Sequence, residues 1–163
     1  LGQAVSSRSK SINGFNMITC LRNLISLLWV MDQPAFTESL NGSTITVNII
    51  DVRNKEGSIR LSIFKDEASF SAEKASKTML LDKKELSGGK MNTSVQLPSG
   101  IYGIAVLDDE NSNEKMDYGV MMPKEGFGFS NFYLTGLRKP KFEKFKFLVS
   151  DTNFSVVIRM KYM

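Results

Sequence analysis

From Thr44 onward, apolar and polar residues alternate along the chain. In the stretch TITVNIID, Ile45, Val47 and Ile49 fall on one side and Thr44, Thr46 and Asn48 on the other, the period-two pattern of a half-buried strand. Asn54-Lys55-Glu56-Gly57 reads as a turn, and beyond it Ile59, Leu61 and Ile63 alternate with Ser58, Arg60 and Ser62. The two runs are expected to pair as an antiparallel hairpin. Residues 66–77 break the alternation, and Glu67, Ala68 and Ala72–Lys74 favour a short helix or helical turn. A short strand is expected at Thr78–Leu81. After a polar loop over 82–90, another is expected at Thr93–Leu97, with Val95 and Leu97 inward.

Pro98-Ser99-Gly100 is a tight-turn signal, and the Ile101–Leu107 run after it is apolar on both faces. Such a strand belongs at the centre of a structure, covered on each side, and Gly103 permits close packing or a bulge. An Asp/Asn-rich loop and a Gly/aromatic loop then lead to Phe132–Leu134. In the basic stretch that follows, Phe145, Phe147 and Val149 alternate with Lys144 and Lys146, as on a strand with one solvated face. Phe154, Val156, Ile158 and Met160 mark a last strand. Seven or eight strands with at most one or two short helices predict an all-β protein, an antiparallel β-sandwich occupying residues 42–163 as a single domain. A barrel is the structural alternative.

The first residues differ in character. Residues 1–16 are small and polar without period, as in a disordered leader or upstream remnant. Residues 17–35 resemble a secretory signal peptide: Met17 is a possible start, Arg22 supplies charge, and Leu24–Met31 is an apolar run too short to span a membrane. The competing reading is an amphipathic helix packed on the domain. Cys20 precedes the apolar run, where a lipid-anchor cysteine would follow it. Export to the periplasm or cell exterior is the expectation, with no membrane span in the mature chain.

Composition narrows the chemistry. Histidine is absent and Cys20 is the single cysteine, which removes Ser-His-Asp and Cys-His catalysis, histidine-ligated zinc and any internal disulfide. The formal charge is +4, but Arg8, Lys10 and Arg22 stand in residues 1–31 without an acid, so the rest is nearly neutral. A basic stripe for nucleic acid is therefore not expected. The inventory points to a non-enzymatic binding or structural module, expected to be a monomer with an envelope or extracellular partner.

The segment LPSGIYGIAVLDDENSNEKMD (Leu97–Asp117), then PKEGFGFSN (Pro123–Asn131) and more loosely RKPKFEKFKF (Arg138–Phe147), resembles the bacterial domain-of-unknown-function 2141 family, small exported β-proteins. The resemblance covers roughly Ile45 to Met160 and implies fold and export rather than an activity. The phrase LPSGIYGIAV (Leu97–Val106) is similar, more weakly, to the strand start of transthyretin-like and carboxypeptidase-regulatory-like sandwiches, which implies an immunoglobulin/transthyretin-like architecture. The family's loop pattern has a glycine after each of two Asn-type positions, where this chain has Ser112 and Glu114, and often a histidine where Asp108 stands. Glu114 would be strained if that position needs a positive φ.

Asp109, Asn111, Asn113 and Asp117 fall at positions 1, 3, 5 and 9 of a candidate calcium loop, with the Lys115 carbonyl at position 7. Alternate residues of a tightly wound loop direct oxygens inward, as calcium requires. Val120 stands where the closing glutamate of an EF-hand loop belongs, and Glu114 where its turn glycine belongs; Glu125 or Asp108 are the residues available to complete the shell. The other reading is a plain hairpin loop in which Asp and Asn bond their own backbone. Asp108, Asp109, Glu110 and Glu125 also raise a carboxylate-based hydrolase, though adjacent acids in one loop do not suggest the opposed pair that it needs. In Gly126-Phe127-Gly128-Phe129, the glycines let the loop bend, and Phe127 and Phe129 either plug the sandwich edge or form an exposed pair for stacking on a sugar or small ligand. No catalytic residue and no cofactor other than Ca²⁺ is expected.

Overall fold

The structure is a computed structural model that describes residues 42–136 and 138–163. The leader over 1–16 and the signal segment over 17–35 lie outside the described residues. Among the described residues the strands are β1 (Gly42–Ile50), β2 (Ser58–Phe64), β3 (Lys77–Asp82), β4 (Met91–Pro98), β5 (Gly100–Asp109), β6 (Gly126–Phe129), β7 (Lys146–Val149) and β8 (Phe154–Arg159), with one short α-helix, α1 (Glu67–Ser71). They form two sheets. One has the order β4-β1-β8; the other runs β3-β2-β5-β6, with β7 also on β5. Mostly strand in two sheets, the protein is an all-β sandwich. No helix among the described residues is long and apolar enough to cross a membrane.

The core follows from the alternation. Ile45, Val47 and Ile49 of β1 face Ile59, Leu61 and Ile63 of β2 and Tyr102, Ile104 and Val106 of β5, all withdrawn from solvent. Burying each such side chain is worth about 1.5–3 kcal/mol. The expected β1–β2 hairpin does not form. β1 pairs with β4 and β8, whereas β2 pairs with β3 and β5, so the two strands lie in opposite sheets. The 51–57 connection crosses between sheets, with Asp51 and Gly57 at φ 64° and 68°. Alternation encodes which face of a strand is buried, and that face is the same whether two strands sit side by side or across a core. The sandwich is also not wholly antiparallel, because β1 and β8 run parallel.

β5 is central, as its two apolar faces predict. β2 lies on one edge. On the other, β7 pairs with Gly100–Gly103 and β6 with Ala105–Asp108. Its outer face is covered by a second cluster of phenylalanines: Phe64, Phe70, Phe127, Phe129, Phe142 and Phe145. Phe70 comes from α1, whose start is capped by Asp66 through a reciprocal bond with Ser69. Its ring meets Phe145 edge-on at 4.8 Å between centroids. Gly103 is obligatory beneath this layer, since a Cβ there would stand 2.6 Å from the Phe145 ring.

The Gly/aromatic segment is strand β6 rather than a loop. Its register with β5 places Phe127 opposite Leu107 and Phe129 opposite Ala105, so both rings join the phenylalanine layer. The glycines face the other way. A Cβ on Gly126 would stand 2.2 Å from the Tyr162 ring, and one on Gly128 2.6 Å from Ile158. Their absence of side chain lets the C-terminal residues lie on β6, where Phe127 and Lys161 exchange backbone hydrogen bonds at 3.0 and 2.7 Å.

Candidate metal loop and the buried ion network

β5 ends in Asp108 and Asp109, and strand geometry sends the two side chains to opposite faces. Asp108 continues the inner row of Tyr102, Ile104 and Val106. It is fully buried and ion-paired with Lys83, which is fully buried too. Lys83 stands at the turn after β3 and also donates to the Glu56 carbonyl at 2.5 Å. The Tyr162 hydroxyl donates to the second Asp108 oxygen at 2.5 Å. Burial, and then the Asp108 carboxylate, push the Tyr162 phenol well above its ordinary value. The Arg53 guanidinium covers the Tyr162 ring at 4.6 Å and forks onto Glu110 at 2.5 and 2.6 Å, where Asn54 adds a bond at 2.8 Å. These bonds hold the Glu110 carboxyl below the usual carboxylate range.

Asp109 turns into the loop instead. Its carboxylate accepts the backbone N–H of Asn113 at 3.0 Å and of Glu114 at 2.6 Å. The Asn111 side-chain oxygen accepts from the Asn113 N–H at 3.1 Å, and that of Asn113 from the Lys115 N–H at 2.8 Å. Their amide nitrogens donate to Asp117, Asn111 at 2.5 Å and Asn113 at 3.1 Å. Asn111, Asn113 and Glu114 thus wind about the two carboxylates of Asp109 and Asp117, with Ser112 and Glu114 in the left-handed region at φ 57° and 61°. Those are the two positions where the resemblance implies glycine. Arg60 donates to the Glu114 carbonyl and holds that residue in place. Gly57 seats the start of the loop: a Cβ there would lie 2.0 Å from the Asp109 carbonyl oxygen.

Glu125, only 4% exposed, closes the loop from the far side. One carboxylate oxygen accepts the Asp117 N–H at 3.1 Å, and the other is buried with no partner. Burial first, and then the charges of Asp109 and Asp117, push its carboxyl above the usual range. Carboxylates and amide oxygens are calcium's preferred donors in kind. As arranged, the Asn oxygens are taken by backbone amides, and among the described residues no three Asp, Glu, His or Cys side chains are gathered as a metal set. A cation would require Asn111 and Asn113 to turn their oxygens inward.

The structure therefore brings Asp109, Asn111, Asn113 and Asp117 together, with Glu125 beside them, while the Lys115 side chain is exposed. Asp108 does not join this set, being committed to Lys83 and Tyr162. The consecutive acids 108–110 have separate partners and do not form a facing pair. Phe127 and Phe129 are 9% and 7% exposed, so neither offers an open ring face for stacking. Sequence reasoning missed Lys83, Tyr162 and Arg53. Tyr162 was within reach, since it extends the inward alternation of Val156, Ile158 and Met160. Nothing in the pattern marks Lys83 as buried.

Comparison with known proteins adds a family and no activity. Neither a search of curated proteins nor one of solved structures returned a match. A family described as "Uncharacterized protein conserved in bacteria (DUF2141)" matches residues 47–157, which run from the second half of β1 into β8 and include β5, the Asp109–Asp117 loop and β6. The chain belongs to this family.

Proposed function

We propose that the chain is a non-catalytic β-sandwich module of the bacterial envelope or exterior, acting by binding through the end of the sandwich that residues 109–125 build, and that a calcium ion closes this end between the Asp109–Asp117 loop and Glu125. The observation that carries the calcium reading is the buried Glu125 oxygen without a partner, beside Asp109 and Asp117. A buried, unpaired carboxylate oxygen is costly, and a cation shared with neighbouring carboxylates relieves both the desolvation and the like-charge repulsion. Export rests on the signal-like features of residues 17–35, and the absence of a catalytic role on the missing histidines and the dispersed acids.

Loops of this kind in extracellular modules bind calcium at roughly 10⁻⁴–10⁻³ M. Saturation at ~10 mM would then stabilise the fold by about 1.4–2.7 kcal/mol. Thermal unfolding and calorimetric titration of the full chain test this. The unfolding midpoint rises with calcium in the wild type and not in Glu125→Gln. No heat and no shift in the wild type at that concentration would end the calcium reading.

A further inference from the structure

Between Asp117 and Lys124 the chain makes a narrow hairpin that ends in an apolar tip. The Lys124 N–H bonds the Asp117 carbonyl at 2.9 Å, Tyr118 pairs with Pro123, and the Gly119 N–H bonds the Met122 carbonyl at 2.7 Å. Val120 and Met121 are left as the two apex residues. Two-residue reversals ordinarily carry Asn, Asp or Gly. Here Val120 is 101% and Met121 90% exposed, with Met122 and Tyr118 exposed at 47% and 67% beside them. Elsewhere among the described residues the exposed large apolar side chains, such as Leu80, Ile101 and Leu148, stand singly on strands, whereas here three follow in succession at the most exposed point, against local turn chemistry. Departures of that kind concentrate at functional sites.

We propose that this tip inserts into the interfacial region of a lipid bilayer bearing anionic headgroups. The tip is convex, and an apolar convex apex needs a receiving phase. The chemistry at its foot fits a membrane interface: Tyr118 is amphipathic, and Lys115 and Lys124 flank the hairpin on its two arms, both exposed. The Lys124 stem runs along Gly119, with its Cε 3.8 Å from where a Cβ would stand, toward the tip. The nearby acids are mostly drawn inward: Asp109 and Glu125 are buried and Asp117 is held by Asn111 and Asn113, leaving Glu114 as the outward acid of the segment. Met163 joins Gly119–Lys124, the apex residues included, in lining a shallow, largely apolar hollow of about 560 Å³ at the hairpin. The inference rests on the reading of the chain as a binding module of the envelope, but not on calcium.

The test is sedimentation of the full chain with phosphatidylcholine vesicles, with and without added phosphatidylglycerol, in calcium and in chelator. The variants are Val120→Ser/Met121→Ser and Lys115→Gln/Lys124→Gln. Both change exposed side chains, and an unchanged unfolding midpoint verifies the fold. The wild type is expected to partition onto the anionic vesicles. Loss of the two apolar contacts is expected to weaken partitioning roughly tenfold or more, and the lysine variant to weaken it on anionic vesicles only. The apolar run Leu24–Met31 is common to all variants, so the difference isolates the tip. Failure of the wild type to bind either vesicle, or equal binding by wild type and tip variant, overturns the proposal. So does a tip that captures an envelope protein and no lipid. A calcium-induced rise in the midpoint that survives such a result would leave the calcium reading standing.

Discussion

Lys83 and Asp108, from different strand ends and both fully withdrawn from solvent, meet as an ion pair at the end of the core. The pair has neighbours of its own: Tyr162 bonds Asp108, and Lys83 bonds the Glu56 carbonyl. It thereby ties β5, the turn after β3, the 51–57 connection and the C-terminal residues together directly beneath the acidic loop.

Lys83→Met is expected to destabilise the protein by about 3–5 kcal/mol, because it leaves the Asp108 carboxylate buried without its cation. Lys83→Met combined with Asp108→Leu is expected to recover most of that loss. Urea unfolding of the two variants checks both statements. A single variant costing less than about 1 kcal/mol would contradict the account.

Glu114 holds a left-handed conformation at φ 61°. For a residue with a Cβ this costs about 1–2 kcal/mol, and the extra freedom of glycine in the unfolded chain returns about 0.5–1 kcal/mol of that. Glu114→Gly is therefore expected to stabilise the fold by up to about 1 kcal/mol, read as a higher denaturant midpoint at unchanged slope. Glu114→Ala, which removes the charge but keeps the Cβ, is expected to give no such gain.

The acid limb of stability is expected to depend on Glu110. Its carboxyl is held below the ordinary range chiefly by the Arg53 hydrogen bonds, with burial opposing them and Asn54 assisting. The unfolded chain therefore binds this proton more readily than the folded one. The stabilisation is fully present above the unfolded carboxylate value and is lost as pH falls through the lowered folded value. Glu110→Gln is expected to flatten the decline in unfolding free energy below about pH 5. A variant that follows the wild-type curve down would place the acid sensitivity elsewhere.

The parts of this structure that depend on side-chain period were legible in the sequence. The inward rows of β1, β2, β4 and β8 and the central position of β5 are period arguments, and the short helix after β2 followed from the break in alternation and from local helix propensity. The strand read in the lysine-rich stretch is shorter than its alternation: β7 covers Lys146–Val149, while Phe145 lies in the turn before it and joins the phenylalanine layer. The winding of the Asp109–Asp117 loop was legible as Asx chemistry, and the strain at Glu114 as a side chain where a glycine is wanted.

Partnership was not. Alternation in β1 and β2 states that each buries a face, but two strands with matching faces can sit side by side or across a core, and only the crossing of residues 51–57 decides. In Gly126–Phe129 the two glycines suggested a bend because their function is relational: each is small for the sake of Tyr162 or Ile158, residues about 30 or more positions away. Lys83 is the plainest case. A lysine is a solvated residue by every local rule, and its burial becomes tolerable only where the fold delivers Asp108 to meet it. What the sequence by itself determined is therefore the set of buried faces and the loop that bonds itself. Which sheets those faces join, which charges are paired in the dry interior, and that an apolar tip is left outside were decided by long-range contact, because those energies exist only between groups that the chain alone does not place together.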